Sequence, residues 1–533
     1  MRKLTWTGLC VAMMLGFAVQ AHADVVIDWN NVLLTALRTD KTPPPKASRA
    51  MAVVHVSIYD AVNGIMGGYA PYHVTASAPA GASTEAAVAA AAHKALVVLF
   101  PAHQAFFDTT LATSLAAIPD GAAKTSGIAW GESVANQILA LRADDNAADV
   151  VSAFFPTGGF WWAPTAPAFA PALLPNWPTV MPWSMKSSAE FRQAAPPSPV
   201  SPVYTAAFRE VNRLGRINST FRTADQTQIA LFWADGAGTT TPPGHWLLIA
   251  QGVSQTNHLT LQQNARLFAL LSITAADAAI TSWDNKYYYN CWRPITGIQH
   301  ADLDGNPQTA ADTAWQPLLA TPPFPAYSSA HSTFSAAEAK ILELFFATDA
   351  MAFTTTSDGV PGVQRSFTTF SQAAAEAGQS GIYGGTNWQF DNQVGLTSGR
   401  ALAEQVFFNS LTPVSSPSIC TAGATTLCIG DGRFKVQARW TTASTSGPAQ
   451  VVSQNSTSGQ FFFFDANNTE LTVKVIDACS YNNRFWFFAS GLTDVQVVIT
   501  VTDTQTGKVR QYFNPRGKSY APVQDVSAFA TCP

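Results

Sequence analysis

The hydrophobic period of this chain changes once, near residue 412, and that change limits the folds open to it. From about 30 to 410 the apolar residues recur every three or four positions. In HSTFSAAEAKILELFF, Phe334, Ala337, Ile341 and Leu344 or Phe345 make one apolar face, the mark of a helix buried on one side. SRAMAVVHVSIYDAVNGI reads as a helix ended near Asn63 and Gly64, and EAAVAAAAHKALVVLF as one stopped by Pro101. SGIAWGESVANQILALRADD and the long NARLFALLSITAADAAITSWDNKYY have the same character. Between roughly 152 and 202 the prolines exclude long helices, and the many Trp and Phe residues point to an ordered strap rather than a polar linker. After about 412 the period becomes two: KVQARW, GQFFFFD, ELTVKVID, RFWFFASGL and VQVVITVTD read as strands, with DTQTGK as a hairpin turn. The expected architecture is mainly α: a helical bundle over 24–412 and a small C-terminal β-sandwich over 413–533.

Residues 1–23 have the pattern of a signal peptide. Arg2 and Lys3 precede an apolar run from Leu9 to Val19, and Ala21-His22-Ala23 suits cleavage before Asp24. That run is too short to span about 30 Å of hydrocarbon, so a secreted or periplasmic protein without a transmembrane anchor is expected. An exported chain can keep disulfides. Cys420, Cys428, Cys479 and Cys532 fall in the last quarter. Their three possible pairings are open, Cys420 with Cys428 and Cys479 with Cys532 being the simplest. Cys291, between aromatic residues, reads as a small buried thiol. Only 12% of residues are charged and the formal net charge is −4, and no basic block supports nucleic-acid binding.

Against that sparse charge, KYYYNCWRP places Lys286 and Arg293 seven residues apart. On one ideal helix that spacing falls 20° short of two full turns, so the two cations would share a face and need an anion, a carboxylate or solvent between them. Asp284 is one candidate partner. Ser328, Ser329 and His331 stand where the helix beginning near Ser332 should start, and a helix start favours negative charge. These residues together point to an anion site. Asp284, His245 and His258 are candidates for its surroundings. Glu338, seven residues after His331, could orient that imidazole, and Arg365 or Arg400 could add charge. No Gly-x-Ser-x-Gly elbow, Walker loop or metal-ligand set competes.

KYYYNCWRP resembles the Lys, six residues, Arg-Pro signature of the type 2 phosphatidic acid phosphatase and vanadium-dependent haloperoxidase superfamily. SSAH at 328–331 resembles its Pro-Ser-Gly-His motif. SGIYGGTNWQFDN at 380–392 resembles its Ser-Arg, five residues, His motif, with Gly381 at the Arg position and Asn387 at the His position. The order of the three blocks, the helical frame and the β tail are similar to secreted bacterial haloperoxidase-like proteins. The resemblance implies that Lys286, Arg293, Ser329 and the Ala330 amide hold phosphate or vanadate, with Asn387 as a further hydrogen-bonding group. It implies His331 as the catalytic acid–base group, at an ordinary imidazole pKa near 6.5. It implies vanadate as cofactor, and either peroxide with halide or a phosphate ester as substrate. Asn387 supplies no lone pair comparable to an imidazole, so no metal ligand is certain. Three readings stay open: an exported haloperoxidase or acid-phosphatase-like enzyme altered at its third motif; a non-catalytic protein that keeps an oxyanion pocket; and an interaction module whose β-sandwich binds envelope or glycan.

Overall fold

A computed structural model describes residues 24–151, 160–414, 417–442, 444–514 and 516–532. The signal-peptide segment 1–23 and part of the proline-rich strap, 152–159, lie outside the described residues. The helices in chain order are α1 (Val25–Asp40), α2 (Pro44–Met66), α3 (Thr84–Leu99), α4 (Gln104–Ala116), α5 (Ala122–Leu141), α6 (Pro202–Leu214), α7 (Ala224–Phe232), α8 (Thr241–Thr256), α9 (Leu261–Tyr289), α10 (Pro294–Gln299), α11 (Ala330–Phe346), α12 (Phe370–Tyr383) and α13 (Gln389–Asn409).

The long helix α9 is the axis of the bundle. Its Ala- and Leu-rich run gives no polar face, and residues 264–286 are all buried. A helix apolar all round has to sit inside. By length and composition α9 could cross a membrane, yet its apolar stretch is wholly enclosed by other helices. It packs along α2 on one side and α11 on the other, and α11 packs in turn on α12 and α13. Thr260 caps its start in a reciprocal capping box with Gln263, which satisfies two otherwise unpaired backbone donors.

α2 runs past the expected stop at Asn63 and Gly64 to Met66, where Gly67 takes φ +66°. Gly64 lies within the helix, and Trp130 packs where a side chain there would project. A short hairpin, β1 (Phe353–Thr356) and β2 (Gln364–Phe367), interrupts the helical region. Its four-residue strands are too short for a readable alternation. The strap over 160–200 is ordered as expected, with Trp162, Trp177 and Trp183 buried.

The sandwich comprises β3 (Leu427–Ile429), β4 (Phe434–Thr441), β5 (Ser446–Pro448), β6 (Gln450–Gln454), β7 (Ser458–Phe462), β8 (Leu471–Ala478), β9 (Arg484–Gly491), β10 (Gln496–Asp503), β11 (Val509–Asn514) and β12 (Val523–Phe529). One sheet has the order β11-β10-β4-β3 with β5 on β4, and the other β12-β9-β8-β7-β6. Alternate residues, including Val436, Val473, Val475, Phe485, Phe487, Val497 and Ile499, turn inward to one core, as period-two strands require. The disulfides are Cys420–Cys428 and Cys479–Cys532, and Cys291 is a buried free thiol.

Candidate anion site

Lys286 and Arg293 converge, but not along one helix. α9 ends at Tyr289, and Asn290 caps it in the left-handed region at φ 48°. The next residues are extended. Trp292 N–H donates to Phe160 O, and Ala326 N–H to Cys291 O. Arg293 has ψ 157° because a residue before proline is pushed out of the helical region. The two cations instead meet over a shared turn, 324–328. Lys286 Nζ donates to the carbonyls of Pro325 (3.0 Å), Ala326 (3.0 Å) and Ser328 (2.6 Å). Arg293 Nε donates to Phe324 O at 2.8 Å and Nη1 to Thr386 O at 2.7 Å. The Phe324 ring lies under both, 5.0 Å from Lys286 Nζ and 4.8 Å from the guanidinium carbon, a favourable place for a cation.

The third wall is the turn between α12 and α13. Gly385 has φ +77°, and a side chain there would meet Gly215 O at 2.5 Å, so only glycine fits. The turn folds back so that the Thr386 and Asn387 amides both donate to Gly381 O. Asn387 Nδ2 donates to Asp391 Oδ2 (3.1 Å) and Ala326 O (3.2 Å), while its Oδ1 lies 3.5 Å from Arg293 Nη1. A Cβ on Gly381 would sit 3.1 Å from that same Oδ1. Asp391 also accepts from Trp388 N–H (2.9 Å), and its backbone carbonyl receives Ser329 N–H. Sequence reasoning missed Asp391. Its signal was a carboxylate in the first turn of α13, four residues after Asn387.

Ser329 caps α11, its Oγ accepting from Ser332 N–H and pairing at 2.9 Å with the Ser332 hydroxyl, whose own proton goes to Asn392 Oδ1. Its hydroxyl is therefore an element of the cap. Ala330 opens the helix, with its amide in the N-terminal turn that lacks intrahelical partners. His331 Nε2 lies 3.2 Å from Ala234 O. A carbonyl only accepts, so Nε2 carries a proton, and in the neutral ring Nδ1 keeps the lone pair. His245 is buried in the same wall, bonded to Asp235 Oδ2 and Thr355 Oγ1, both at 3.1 Å, and stacked on Trp233. It thus supports the loop that holds His331.

Other candidates lie elsewhere. Asp284 is paired with Arg192 through two 2.7 Å bonds rather than with Lys286. His258 is exposed beyond the end of α8. Arg365 is bound to Glu376 and Asp225, and Arg400 is exposed on α13. Glu338 is fully buried, and neither of its carboxyl oxygens has a partner among the described residues, so it does not hold His331.

Burial dominates the electrostatics. It lowers the Lys286 pKa, with Arg293 adding to the effect and Asp391 opposing it. Three carbonyl acceptors nevertheless require three N–H bonds, so the geometry holds the ammonium form. Burial pushes Arg293 down to about 10, still protonated at neutral pH. It pushes Asp391 up to about 6 against the Trp388 amide, Asn387 and the two cations. It also lowers His331, which nearby Asp235 resists, and raises the Cys291 thiol. Two side-chain donors in this cluster are unused among the described residues: Arg293 Nη2 and Ser328 Oγ.

Comparison with known proteins places this geometry. Residues 266–416, which contain all three walls, match the VCPO second helical-bundle domain. The vanadium chloroperoxidase of Curvularia inaequalis is 28% identical over 409 residues, which span 61% of this chain and 66% of that relative, just under two thirds of its length. The crystal structure of the first bacterial vanadium-dependent iodoperoxidase superposes with a TM-score of 0.66 at 27% identity, over 74% of this chain and 97% of that one. An apo-type bacterial vanadium-dependent chloroperoxidase shares the fold at 15% identity and a TM-score of 0.55, over 67% of this chain and 92% of that one.

Proposed function

Because the chain is homologous to the vanadium-dependent haloperoxidases, we propose that it is an exported protein that holds an anion reversibly in the Lys286–Arg293 cluster without turning it over. The observation that carries this reading is the side chain of Asn387. Its nitrogen is committed to Asp391 and Ala326 O, and its oxygen faces Arg293. An amide nitrogen has no free lone pair, so position 387 can neither ligate vanadium nor attack phosphorus. Gly381 supplies no charge, and Asn387 fills the space at its α-carbon. The residues present therefore do not fit a covalently held vanadate. What remains is a buried cationic turn at the start of α11, which suits a non-covalent anion.

The second reading, peroxide-dependent halide oxidation or phosphate monoester hydrolysis, is favoured by one observation: His331 Nε2 faces the Ala234 carbonyl, so the neutral ring presents Nδ1 as the lone-pair nitrogen a general base requires. The sandwich offers a separate surface for an envelope or glycan partner, where exposed Tyr481 meets Trp486 edge to face.

The test is a panel of phosphate, orthovanadate and bromide titrated calorimetrically into the purified protein, with peroxidase and phosphatase assays run beside it. Saturable heat with at least one anion and no turnover is expected. Turnover above that of Arg293→Met would replace this reading with the second.

A further inference from the structure

We propose that the Lys286–Arg293 cluster is set for one small monovalent anion, of halide size, in preference to a tetrahedral oxyanion of higher charge. This deepens the anion-holding reading and rests on it. The charge balance is the first argument. Lys286 and Arg293 carry two positive charges, and Asp391 is the one carboxylate bonded into their turn. Burial works against charge on Cys291, Tyr287, Tyr327 and His331. One positive charge is left over in a water-poor site, where an unpaired charge is strongly disfavoured. A single negative charge balances it. An anion carrying two or three would reverse the imbalance.

The donor count is the second argument. All three Lys286 N–H bonds are spent on carbonyls, as are Arg293 Nε and Nη1. The unspent side-chain donors, among the described residues, are the two N–H bonds of Arg293 Nη2 and the Ser328 hydroxyl, and the start of α11 adds the Ala330 amide. Arg293 is 1% exposed and Ser328 is fully buried, so neither finds its partner in bulk water. Both belong to groups pinned on the same turn, since Arg293 holds Phe324 O and Lys286 holds Ser328 O. Four N–H or O–H bonds can satisfy a monatomic anion. They leave at most one for each oxygen of a tetrahedral one, and the nearby oxygens of Asn387 and Asp391 would repel its extra charge.

Sodium bromide, sodium chloride and orthovanadate are to be titrated into the whole protein in halide-free buffer, with heat and melting temperature both recorded. Crystals grown with bromide give its position by anomalous scattering. Saturable bromide binding is expected, with the anomalous peak beside Arg293 Nη2 and Ser328 Oγ. Ser328→Ala should weaken bromide about tenfold, the lower end for a hydrogen bond to a charged group. It should fold normally, because that hydroxyl has no partner to lose. Arg293→Lys, which keeps the charge but loses the second nitrogen, should weaken bromide at least as much. Orthovanadate binding more tightly than bromide, or bromide binding indifferent to both substitutions, overturns this inference and leaves anion holding intact. No heat and no thermal shift with any anion overturns both.

Discussion

Asp391 and Glu338 are both fully buried carboxyl groups, but they differ in company. Asp391 receives the Trp388 amide and the Asn387 side chain and faces two cations; Glu338 has no partner among the described residues. Burial raises Asp391 from 3.8 to about 6. A carboxyl that holds its proton more tightly when folded stabilises the fold fully below its unfolded pKa and loses that contribution as pH rises through its folded pKa. The Asp391 share of stability should therefore fall between about pH 4 and pH 6. Urea denaturation across that range should slope less in Asp391→Asn than in the parent, and parallel slopes would show that Asp391 titrates as it does unfolded. Glu338 is pushed up further, by burial alone. Glu338→Leu removes two unpartnered oxygens and should stabilise the protein by about 1–3 kcal/mol at pH 8, and by less at pH 4. A loss of stability at pH 8 would mean that the carboxyl has a partner in solution.

At the scale of elements, the seam between α11 and α13 fixes the site. Gly395 and Gly399 on α13 let the helices approach until a Cβ at 399 would lie 2.3 Å from Thr333 O, and one at 395 would lie 2.7 Å from Ser329 O. The obstruction is backbone, which cannot swing aside. Gly399→Ala should therefore cost about 1–3 kcal/mol by overpacking, despite the better helix propensity of alanine, and a measured gain would show that the seam is looser. This seam also shows what the sequence could and could not say. The apolar faces of α9 and α11 and the alternation in β8 and β10 were legible because burial imposes a period. The glycine pair was visible as residues but not as a close approach, which exists only once two helices meet. The helical spacing of Lys286 and Arg293 predicted their convergence by the wrong geometry: Asn290 and Pro294 end the helix between them, and the two meet over the 324–328 turn. That carbonyls of the 324–328 turn would absorb the cations' hydrogen bonds is a tertiary fact with no periodic signal. Asn387 and Gly381 were legible as departures, whereas Asp391 gained its meaning only when its partners were in place.

At the scale of the molecule the described residues form two units, a bundle with two hydrophobic clusters, the smaller around Trp292 and Trp388, and a sandwich with one. They touch where Phe408 of α13 stacks on Phe513 of β11 at 5.0 Å, with Lys340 Nζ 5.9 Å from the same ring. Domains joined by a small contact unfold as separate units, and both disulfides lie on the sandwich side of that contact. Cys479–Cys532 closes a separation of 53 residues and ties the end of β8 to the segment after β12. By the chain-entropy account, closing a loop of that length stabilises by roughly 4 kcal/mol. Calorimetry should accordingly show two transitions. Cys479→Ser with Cys532→Ser should lower only the one belonging to the sandwich, because the bundle's single cysteine, Cys291, is buried and unpaired. A bound anion should raise only the other, since Lys286, Arg293 and Ser328 all lie in the bundle and ligand binding stabilises the unit that holds it. If the cysteine substitutions and the anion instead moved one shared transition, the Phe408–Phe513 contact would be coupling the two units, and the sandwich would be part of what keeps the anion site formed.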